Sequence, residues 1–232
     1  MDLVVAPDDR AAAATGAELL AGWLTAAVDA RGAATVAVSG GRTPWLLFAD
    51  LAERDLPWDA ITVFQVDERL APDGSDERNL THLAAALAAA PVRIVPMAAA
   101  TADPDVAADR YGAGLPERFD VVHLGLGPDG HTASLVPGDP VCDVTDRPVA
   151  LTAAPYQGCR RMTLTAPVLT GARRQLWVVT GDTKRPVLPR LLAADPQIPA
   201  GRVVTAEAIV VADTAAAGPD GVPGGSPARE DG

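Results

Sequence analysis

The segment LGLGPDGHTASL, residues 124–135, carries one of only three histidines in this chain of 232 residues. His131 follows Asp129 and three glycines, which allow a chain to turn sharply with its backbone exposed. A histidine side chain can take up and return a proton near neutral pH, which suits general acid–base catalysis. The segment also fits an ordinary glycine turn with a capping histidine, and residues 131–134 are predicted to begin a short helix. Alone, it leaves both interpretations open.

The other histidines and the two cysteines are predicted to have structural roles. His123 lies inside the apolar strand VVHLG and is expected to be a hydrogen-bonded core residue, whereas His82 belongs to a predicted helix, LTHLAAAL. Cys142 and Cys159 lack CxxC spacing and histidine neighbours, so we expect reduced thiols. No cluster in the sequence has metal-ligand spacing, and we expect no metal in the site.

The segment SGGRTP, residues 39–44, is a candidate anion site. It lacks the GK[ST] of a P-loop and does not fit GxGxxG. Ser39, Gly40 and Gly41 nevertheless lead into a predicted helix that opens at Thr43, so free backbone N–H groups and the positive helix end would converge. An ordinary tight turn with a threonine cap is the alternative.

The segment DERLAPDGSDERN, residues 67–79, is more polar than a connection requires. Asp67 could accept hydrogen bonds from sugar hydroxyls, and Arg69 could supply positive charge to an anion. Glu77 and Arg78 are predicted to belong to a solvated loop whose charges pair with one another. Asn79 is predicted to cap the helix that follows.

Lys184, in TGDTKRP, is the only lysine, since eighteen of the nineteen basic residues are arginine. Lysine and arginine bind phosphate differently, so a single lysine in a glycine-containing loop is a candidate anion contact. Chance retention under an arginine-rich composition is the alternative.

The elements that must position these residues alternate between strand and helix. The predicted strands are apolar nearly throughout, which is typical of strands covered on both faces. They span 33–41, 61–68, 92–97, 119–127, 149–155, 161–167 and 175–182, with alanine-rich helical segments between most of them. The pattern predicts an α/β fold: a doubly wound, mostly parallel, Rossmann-like sheet flanked by helices. Ligands of such sheets bind at the carboxyl ends of the strands, where the candidate segments lie.

Composition and charge restrict the domain organisation and the classes of binding partner. A hydrophobic content of 48% supports one α/β domain over residues 1–217, and the Gly/Pro-rich residues 218–232 are predicted to be a disordered tail. The formal net charge of −11 argues against nucleic acid or an anionic membrane as partner. The first ten residues do not resemble a signal peptide, so a cytoplasmic location is expected.

Taken in order, SGGRTP, VDER, SDERN, LGLGPDGHTASLVPG, RMTLT and GDTK resemble the 6-phosphogluconolactonase family from about residue 3 to about residue 215. The resemblance implies the fold shared with glucosamine-6-phosphate deaminases and ribose-5-phosphate isomerase A. It also implies hydrolysis of 6-phospho-D-glucono-1,5-lactone to 6-phospho-D-gluconate in the oxidative pentose phosphate pathway. The chain departs from the family at Val136, where many members have Phe, and at APYQGCRR, where they have a PKPP-like stretch.

The resemblance also implies roles for individual residues. His131 would deprotonate water, and Asp129 would either orient His131 or contact the sugar. The remaining candidates would bind the phosphosugar: Ser39, Gly40, Gly41 and Thr43 at the phosphate or adjacent sugar, Arg69, Arg161 and Lys184 as cations, and Asp67 at hydroxyls. Lactone hydrolysis needs no redox or nucleotide cofactor, and no obligate protein partner is expected.

Two other functions remain open on the same fold. A phosphosugar deaminase or isomerase would share the anion site, but its loop reads more like GHIAFNEP than GHTASLVPG. A sugar-phosphate-sensing domain of a transcriptional regulator would normally carry a helix-turn-helix module and a basic surface, which this acidic sequence lacks.

Overall fold

A seven-stranded parallel sheet forms the centre of the computed structural model, which describes residues 1–218 of the chain. Its strands, in chain order, are β1 (Asp2–Ala6), β2 (Ala34–Val38), β3 (Ile61–Gln65), β5 (Arg93–Val95), β6 (Val121–Leu124), β9 (Arg174–Val179) and β10 (Ile209–Asp213). Their order across the sheet is β1-β10-β9-β6-β2-β3-β5, and every neighbouring pair is parallel. The predicted doubly wound α/β sheet is therefore confirmed.

The strand order reverses direction between β2 and β6, at the centre of the sheet. From β2 the chain proceeds outward through β3 and β5, and after β6 it proceeds to the other side through β9 and β10. Val38 pairs with His123, and Leu124 pairs with Trp177, so β2, β6 and β9 end close together. The loops that follow these three strands consequently meet at one edge, as expected at a topological switch point.

Eight helices surround the sheets within the described residues: α1 (Asp9–Arg31), α2 (Arg42–Ala52), α3 (Asn79–Ala86), α4 (Pro104–Ala113), α5 (Ala166–Thr170), α6 (Leu188–Leu192), α7 (Pro199–Val203) and α8 (Thr214–Ala217). Short 3-10 helices span Trp58–Ala60, Pro140–Asp143 and Asp182–Lys184. The helical spacing of TKRPVLPRLLAAD predicts one helix over 183–195. That prediction is wrong, because Pro186 and Pro189 lack the N–H groups that a continuous helix would use.

Both faces of the parallel sheet are buried. Leu176 and Val178 of β9 belong to the apolar cluster that contains α1 and α2, whereas Trp177 and Val179 belong to the cluster on the opposite face. This alternation of buried residues explains why the strand sequences are apolar nearly throughout.

Helix α1 is the one helix among residues 1–218 whose length and apolar composition would suffice to cross a membrane. Asp8 caps its first turn by accepting from the Ala11 N–H at 2.8 Å, and Gly32 ends it with a φ of 78°. Its Leu20 and Leu24 are fully buried in the cluster shared with α2 and the sheet. The helix is therefore packed as a core helix of the domain.

A second, antiparallel sheet contains β4 (Asp67–Arg69), β8 (Arg161–Leu164) and β7 (Val149–Leu151), in that order. The expectation that 61–68 forms one strand is wrong, because the chain leaves the parallel sheet at Val66. The Val66 N–H donates to Val38 O at 3.0 Å, and its carbonyl accepts from Leu164 N at 2.7 Å. Val66 thus joins the two sheets.

The antiparallel sheet also corrects the expectation that 149–155 and 161–167 belong to the parallel one. In the register of β4 with β8, Asp67 lies opposite Thr163 and Arg69 lies opposite Arg161. Two candidate cations therefore lie side by side.

Neither the edge strand β1 nor its neighbour β10 is among the strands predicted from the sequence. Val4 and Val5 of β1 are exposed, so this strand does not have the fully apolar environment of the central ones. Helix α8 ends the described fold at Ala217. The predicted tail over 218–232 lies outside the described residues, apart from Gly218.

Candidate active site

A cleft of about 340 Å³ opens at the carboxyl ends of β2, β6 and β9. Its walls come from the loops that follow these strands and from the antiparallel sheet. Nine of the ten candidate residues line it: Ser39, Gly40, Gly41, Thr43, Asp67, Arg69, His131, Arg161 and Lys184. The tenth, Asp129, is hydrogen-bonded to His131. Segments separated by more than a hundred residues in sequence therefore meet at one site.

The loop after β2 presents the start of α2 to the cleft. Gly41 has a φ of 139°, and no side chain among residues 1–218 caps the helix. The Ser39 hydroxyl is buried and has no hydrogen-bond partner in the described part of the chain. Uncapped N–H groups, the positive end of the helix dipole and an unpaired hydroxyl together suit an anion or a sugar oxygen.

Gly40 is required by the close approach of α3. A Cβ at Gly40 would lie 2.7 Å from Cγ of Asn79 and 2.9 Å from the ring of Trp45. Across the loop, the hydroxyls of Thr43 and Thr180 are 2.6 Å apart, which links α2 to the end of β9. Thr180 and Asn79 line the cleft, and sequence analysis assigned neither of them to it.

Four basic residues line the cleft: Arg42, which is largely exposed and pairs with Asp9, and the three predicted cations Arg69, Arg161 and Lys184. Lys184 lies in the 3-10 helix after β9, where partial burial lowers the pKa of its ammonium group and the charge of Asp129 opposes that shift. Arg69 donates to Glu77 O at 2.8 Å, and Arg161 donates to Gln157 Oε1 at 3.1 Å. These contacts position both guanidinium groups at the wall of the cleft.

His131 lies in a turn after β6 and not in a helix, which corrects the prediction for 131–134. The Leu135 N–H donates to Thr132 O at 2.9 Å, and Ala133 has a φ of 50°, so the backbone turns back on itself. Gly127 N also donates to His131 O at 2.8 Å. This compact turn holds the imidazole at the cleft.

The imidazole of His131 is oriented by Asp129. Nδ1 lies 2.6 Å from Asp129 Oδ1, and the same oxygen accepts the backbone N–H of His131 at 3.1 Å. Nε2 makes no hydrogen bond with residues 1–218. Asp129 therefore contacts the histidine in this structure, as one of the two roles predicted for it requires.

The charge state of Asp129 follows from its hydrogen bonds. Partial burial by itself would raise its pKa, but the bonds donated by His131 and Tyr156 outweigh burial and lower the pKa of Asp129 overall. The carboxylate is therefore ionised at neutral pH and accepts the Nδ1 proton. In a neutral imidazole with its proton on Nδ1, Nε2 carries the lone pair.

Tyr156 is a contact that sequence analysis missed. Its hydroxyl lies 2.9 Å from Asp129 Oδ2 and 3.1 Å from Nδ1 of His131. The guanidinium carbon of Arg161 lies 5.0 Å from the centre of its ring. The only signal in the sequence is that APYQGCRR departs from the pattern of the family it resembles.

Asp67 forms a buried wall of the cleft. Its Oδ2 accepts from the Ser134 hydroxyl at 2.6 Å, and Arg161 Nη1 lies 3.9 Å from the same oxygen. Burial raises the pKa of Asp67, while the Ser134 hydrogen bond and the charge of Arg161 lower it in part.

The prediction that Asn79 caps α3 is wrong, because Glu68 performs that role. The N–H groups of Asn79 and Leu80 each donate to the Glu68 carboxylate at 2.8 Å. The Asn79 side chain instead donates to Asp67 O at 3.1 Å. Glu68 is fully buried and holds the start of α3 against β4.

The prediction of solvent exposure is correct for Glu77 but wrong for Arg78. Arg78 is 1% exposed, and its Nε lies 3.1 Å from Glu68 Oε2. Its guanidinium also donates to Ala71 O at 3.1 Å and to Asp73 at 2.8 Å. Arg78 is thus the buried partner of the carboxylate that caps α3.

The other two histidines lie outside the cleft, as predicted. His123 is fully buried beside Phe48, but neither ring nitrogen has a hydrogen-bond partner among the described residues, so the expected hydrogen bonds are absent there. Burial lowers its pKa to about 3. His82 stacks on Trp45, with ring centres 5.6 Å apart.

Within residues 1–218, no group of three or more His, Cys, Asp or Glu residues has an arrangement that could hold a metal ion. Cys142 and Cys159 are free thiols.

Known proteins are similar to this chain in sequence and in fold. A family model described as glucosamine-6-phosphate isomerases/6-phosphogluconolactonase matches residues 7–211. The 6-phosphogluconolactonase of Rhizobium meliloti is 40% identical over 182 residues, covering 74% of this chain and 78% of the relative. This chain belongs to the 6-phosphogluconolactonase family. The family member from Synechocystis is 37% identical over 190 residues, covering 75% of this chain and 78% of that protein.

Solved structures agree with the family assignment. The 6-phosphogluconolactonase from Thermotoga maritima superposes with a TM-score of 0.82 at 26% identity and covers 91% of this chain and 98% of its own. A monomeric glucosamine-6-phosphate deaminase gives the same TM-score at 16% identity, over 94% of this chain and 99% of its own, which shows the shared fold alone. The resemblance seen in the sequence is confirmed.

Proposed function

We propose that this member of the 6-phosphogluconolactonase family hydrolyses 6-phospho-D-glucono-1,5-lactone to 6-phospho-D-gluconate, in the oxidative pentose phosphate pathway. One observation carries the proposal: a single cleft joins the Asp129–His131 pair to the uncapped start of α2 and to Lys184. A substrate with a hydrolysable carbonyl at one end and a phosphate at the other fits these two regions.

His131 acts as the general base. Asp129 holds the proton on Nδ1, so Nε2 accepts a proton from water while the water oxygen forms a bond to the lactone carbonyl carbon. The tetrahedral intermediate then collapses as the bond from that carbon to the ring oxygen breaks. The imidazolium returns its proton to the departing ring oxygen, and the carboxylic acid product ionises. General acid–base catalysis of this kind contributes about 10²- to 10⁴-fold.

Other cleft residues bind the phosphate and the sugar hydroxyls of the substrate. The start of α2, with Ser39, Gly40, Gly41 and Thr43, binds the phosphate or the adjacent sugar oxygen, and Lys184 adds a charge-assisted contact. Arg69 and Arg161, which lie side by side in the antiparallel sheet, provide further positive charge to the cleft. Asp67 accepts hydrogen bonds from sugar hydroxyls.

The direct test compares two reactions that this fold could support. Acid release from freshly generated lactone is followed with and without the protein, and ammonia release from glucosamine 6-phosphate is followed in parallel. We expect acid release well above the spontaneous rate and no ammonia. Ammonia release without lactone hydrolysis would replace this proposal with a deaminase. The cytoplasmic location and the absence of cofactors and obligate partners stay predictions.

A further inference from the structure

The hydroxyl of Tyr156 lies against the Asp129–His131 pair and not against the open cleft. It is 2.9 Å from Asp129 Oδ2 and 3.1 Å from His131 Nδ1, and the Tyr156 and His131 rings meet edge to face with centres 5.2 Å apart. The mechanism proposed above uses no group on Tyr156.

The positions of the protons follow from these contacts. Burial and the neighbouring Asp129 carboxylate raise the pKa of Tyr156 to about 12, so its hydroxyl keeps its proton at neutral pH. That proton is donated to Asp129 Oδ2, while Asp129 Oδ1 accepts from Nδ1 of His131 at 2.6 Å. The oxygen of Tyr156 is then a second, longer acceptor for the same Nδ1 proton. Both carboxylate oxygens are engaged, which restricts rotation of Asp129.

The loop that carries Tyr156 is a tight turn. The Tyr156 N–H donates to Cys159 O at 2.9 Å, and Gln157 and Gly158 have φ values of 51° and 95°. Gln157 accepts from Arg161, whose guanidinium also lies over the Tyr156 ring. The turn therefore contacts both the acid–base pair and a cation on the cleft wall.

We propose that Tyr156 is a positioning residue: its hydroxyl fixes the Asp129 carboxylate so that His131 keeps its proton on Nδ1, and its ring supports Arg161. The kinetic part of this inference rests on the proposed function. The part that concerns the imidazole proton does not, and it can be measured on the free protein.

Tyr156→Phe removes the hydroxyl and keeps the ring. This variant loses the hydrogen bond to the charged Asp129 carboxylate, so its kcat should fall roughly tenfold while its KM changes little. Tyr156→Leu removes the ring as well, and it should also raise KM because Arg161 loses its support.

The proton itself is observed by nitrogen-15 NMR of the histidine rings, and three histidines make assignment simple with a His131→Gln reference. At a pH where imidazoles are neutral, wild-type His131 should carry its proton on Nδ1. In Tyr156→Phe the share of the Nε2–H form should rise.

Tyr111→Phe is the matched control, because it removes the other tyrosine hydroxyl of the chain. That hydroxyl is buried against β3, where it bonds to the backbone of Gln65. The control should lose stability while its kcat and its His131 ring spectrum stay as in the wild type.

A wild-type His131 spectrum in Tyr156→Phe overturns the proposal, whatever the activity. A wild-type protein without lactonase activity would refute the proposed function and leave the NMR result to decide this inference.

Discussion

Gly127 lies directly against the imidazole of His131. A Cβ at this position would overlap with Nδ1 and would lie 2.6 Å from Cγ of the ring. The ring that we propose as the general base therefore occupies the space that the side chain of any other residue at position 127 would fill.

Gly127→Ala should consequently displace the imidazole from Asp129 and reduce kcat by roughly tenfold or more, because a small misplacement of a catalytic group is costly. Gly22→Ala is the control, since a Cβ at Gly22, on α1 and outside the cleft, would meet no atom within 4 Å. Steady-state kinetics of both variants checks this. Equal activities would show that the turn relaxes without moving His131.

Lys184 should contribute to binding of the phosphate more than to the chemistry. Lys184→Ala should raise KM for the phosphorylated lactone far more than for the unphosphorylated lactone, and Lys184→Arg should restore the difference only in part, because the two cations differ in shape and hydration. Arg185→Ala is a suitable control, because Arg185 donates to Ala215 O and does not line the cleft. Equal effects on both substrates would remove Lys184 from the phosphate site.

His123 should make the protein sensitive to acid. Burial lowers its pKa from 6.5 to about 3, so between these values the unfolded chain binds a proton that the folded chain does not. The free energy of unfolding is therefore unaffected by His123 above pH 6.5 and falls as the pH decreases towards 3. The loss from this group should be about 2 kcal/mol between pH 7 and pH 5.

His123→Leu, which keeps most of the side-chain volume, should lose less stability than the wild type over that pH interval in denaturant titrations. His123→Ala should instead be destabilised at every pH, because it leaves a cavity in β6. An unchanged pH dependence in His123→Leu would show that other groups cause the acid sensitivity.

Arg78 should be essential for stability although it lies in a polar loop. Arg78→Met removes the partner of the fully buried Glu68 carboxylate, and breaking a buried pair typically costs about 3–5 kcal/mol. Arg54→Met provides a comparison, because the Arg54–Asp50 pair is partly exposed and should contribute about 1 kcal/mol or less. Similar free energies of unfolding for the two variants would contradict this account.

Sequence predicted the parallel sheet and the cleft because both depend on local patterns. Strands that are apolar throughout and the glycines that follow β2 and β6 can be recognised in the amino-acid sequence. The loops after these strands then meet because they lie at the topological switch point of the sheet. His131, Asp129 and Lys184 could be placed at one edge for this reason.

The features that were predicted wrongly or missed depend on contacts between segments distant in sequence. Arg78 looked solvated because its partner Glu68 is ten residues away on another element, and capping of α3 by Glu68 instead of Asn79 follows from the same packing. The strand 61–68 breaks at Val66 because that residue bonds to β2 and β8. Tyr156 contacts Asp129 because residues 157 and 158 form a turn with positive φ values, and the sequence of this segment does not predict that turn.

His131 is the centre of the proposed mechanism, and the most direct test is the kcat for lactone hydrolysis by His131→Gln, corrected for spontaneous, pH-dependent hydrolysis. Glutamine keeps a polar side chain at the turn but cannot accept and return the proton, so the variant should fold normally. Its kcat should be about 10²- to 10⁴-fold below the wild type, with KM affected less because the phosphate contacts lie on other loops. A His131→Gln enzyme with near wild-type kcat would contradict the account and make Asp129 the next candidate for the base.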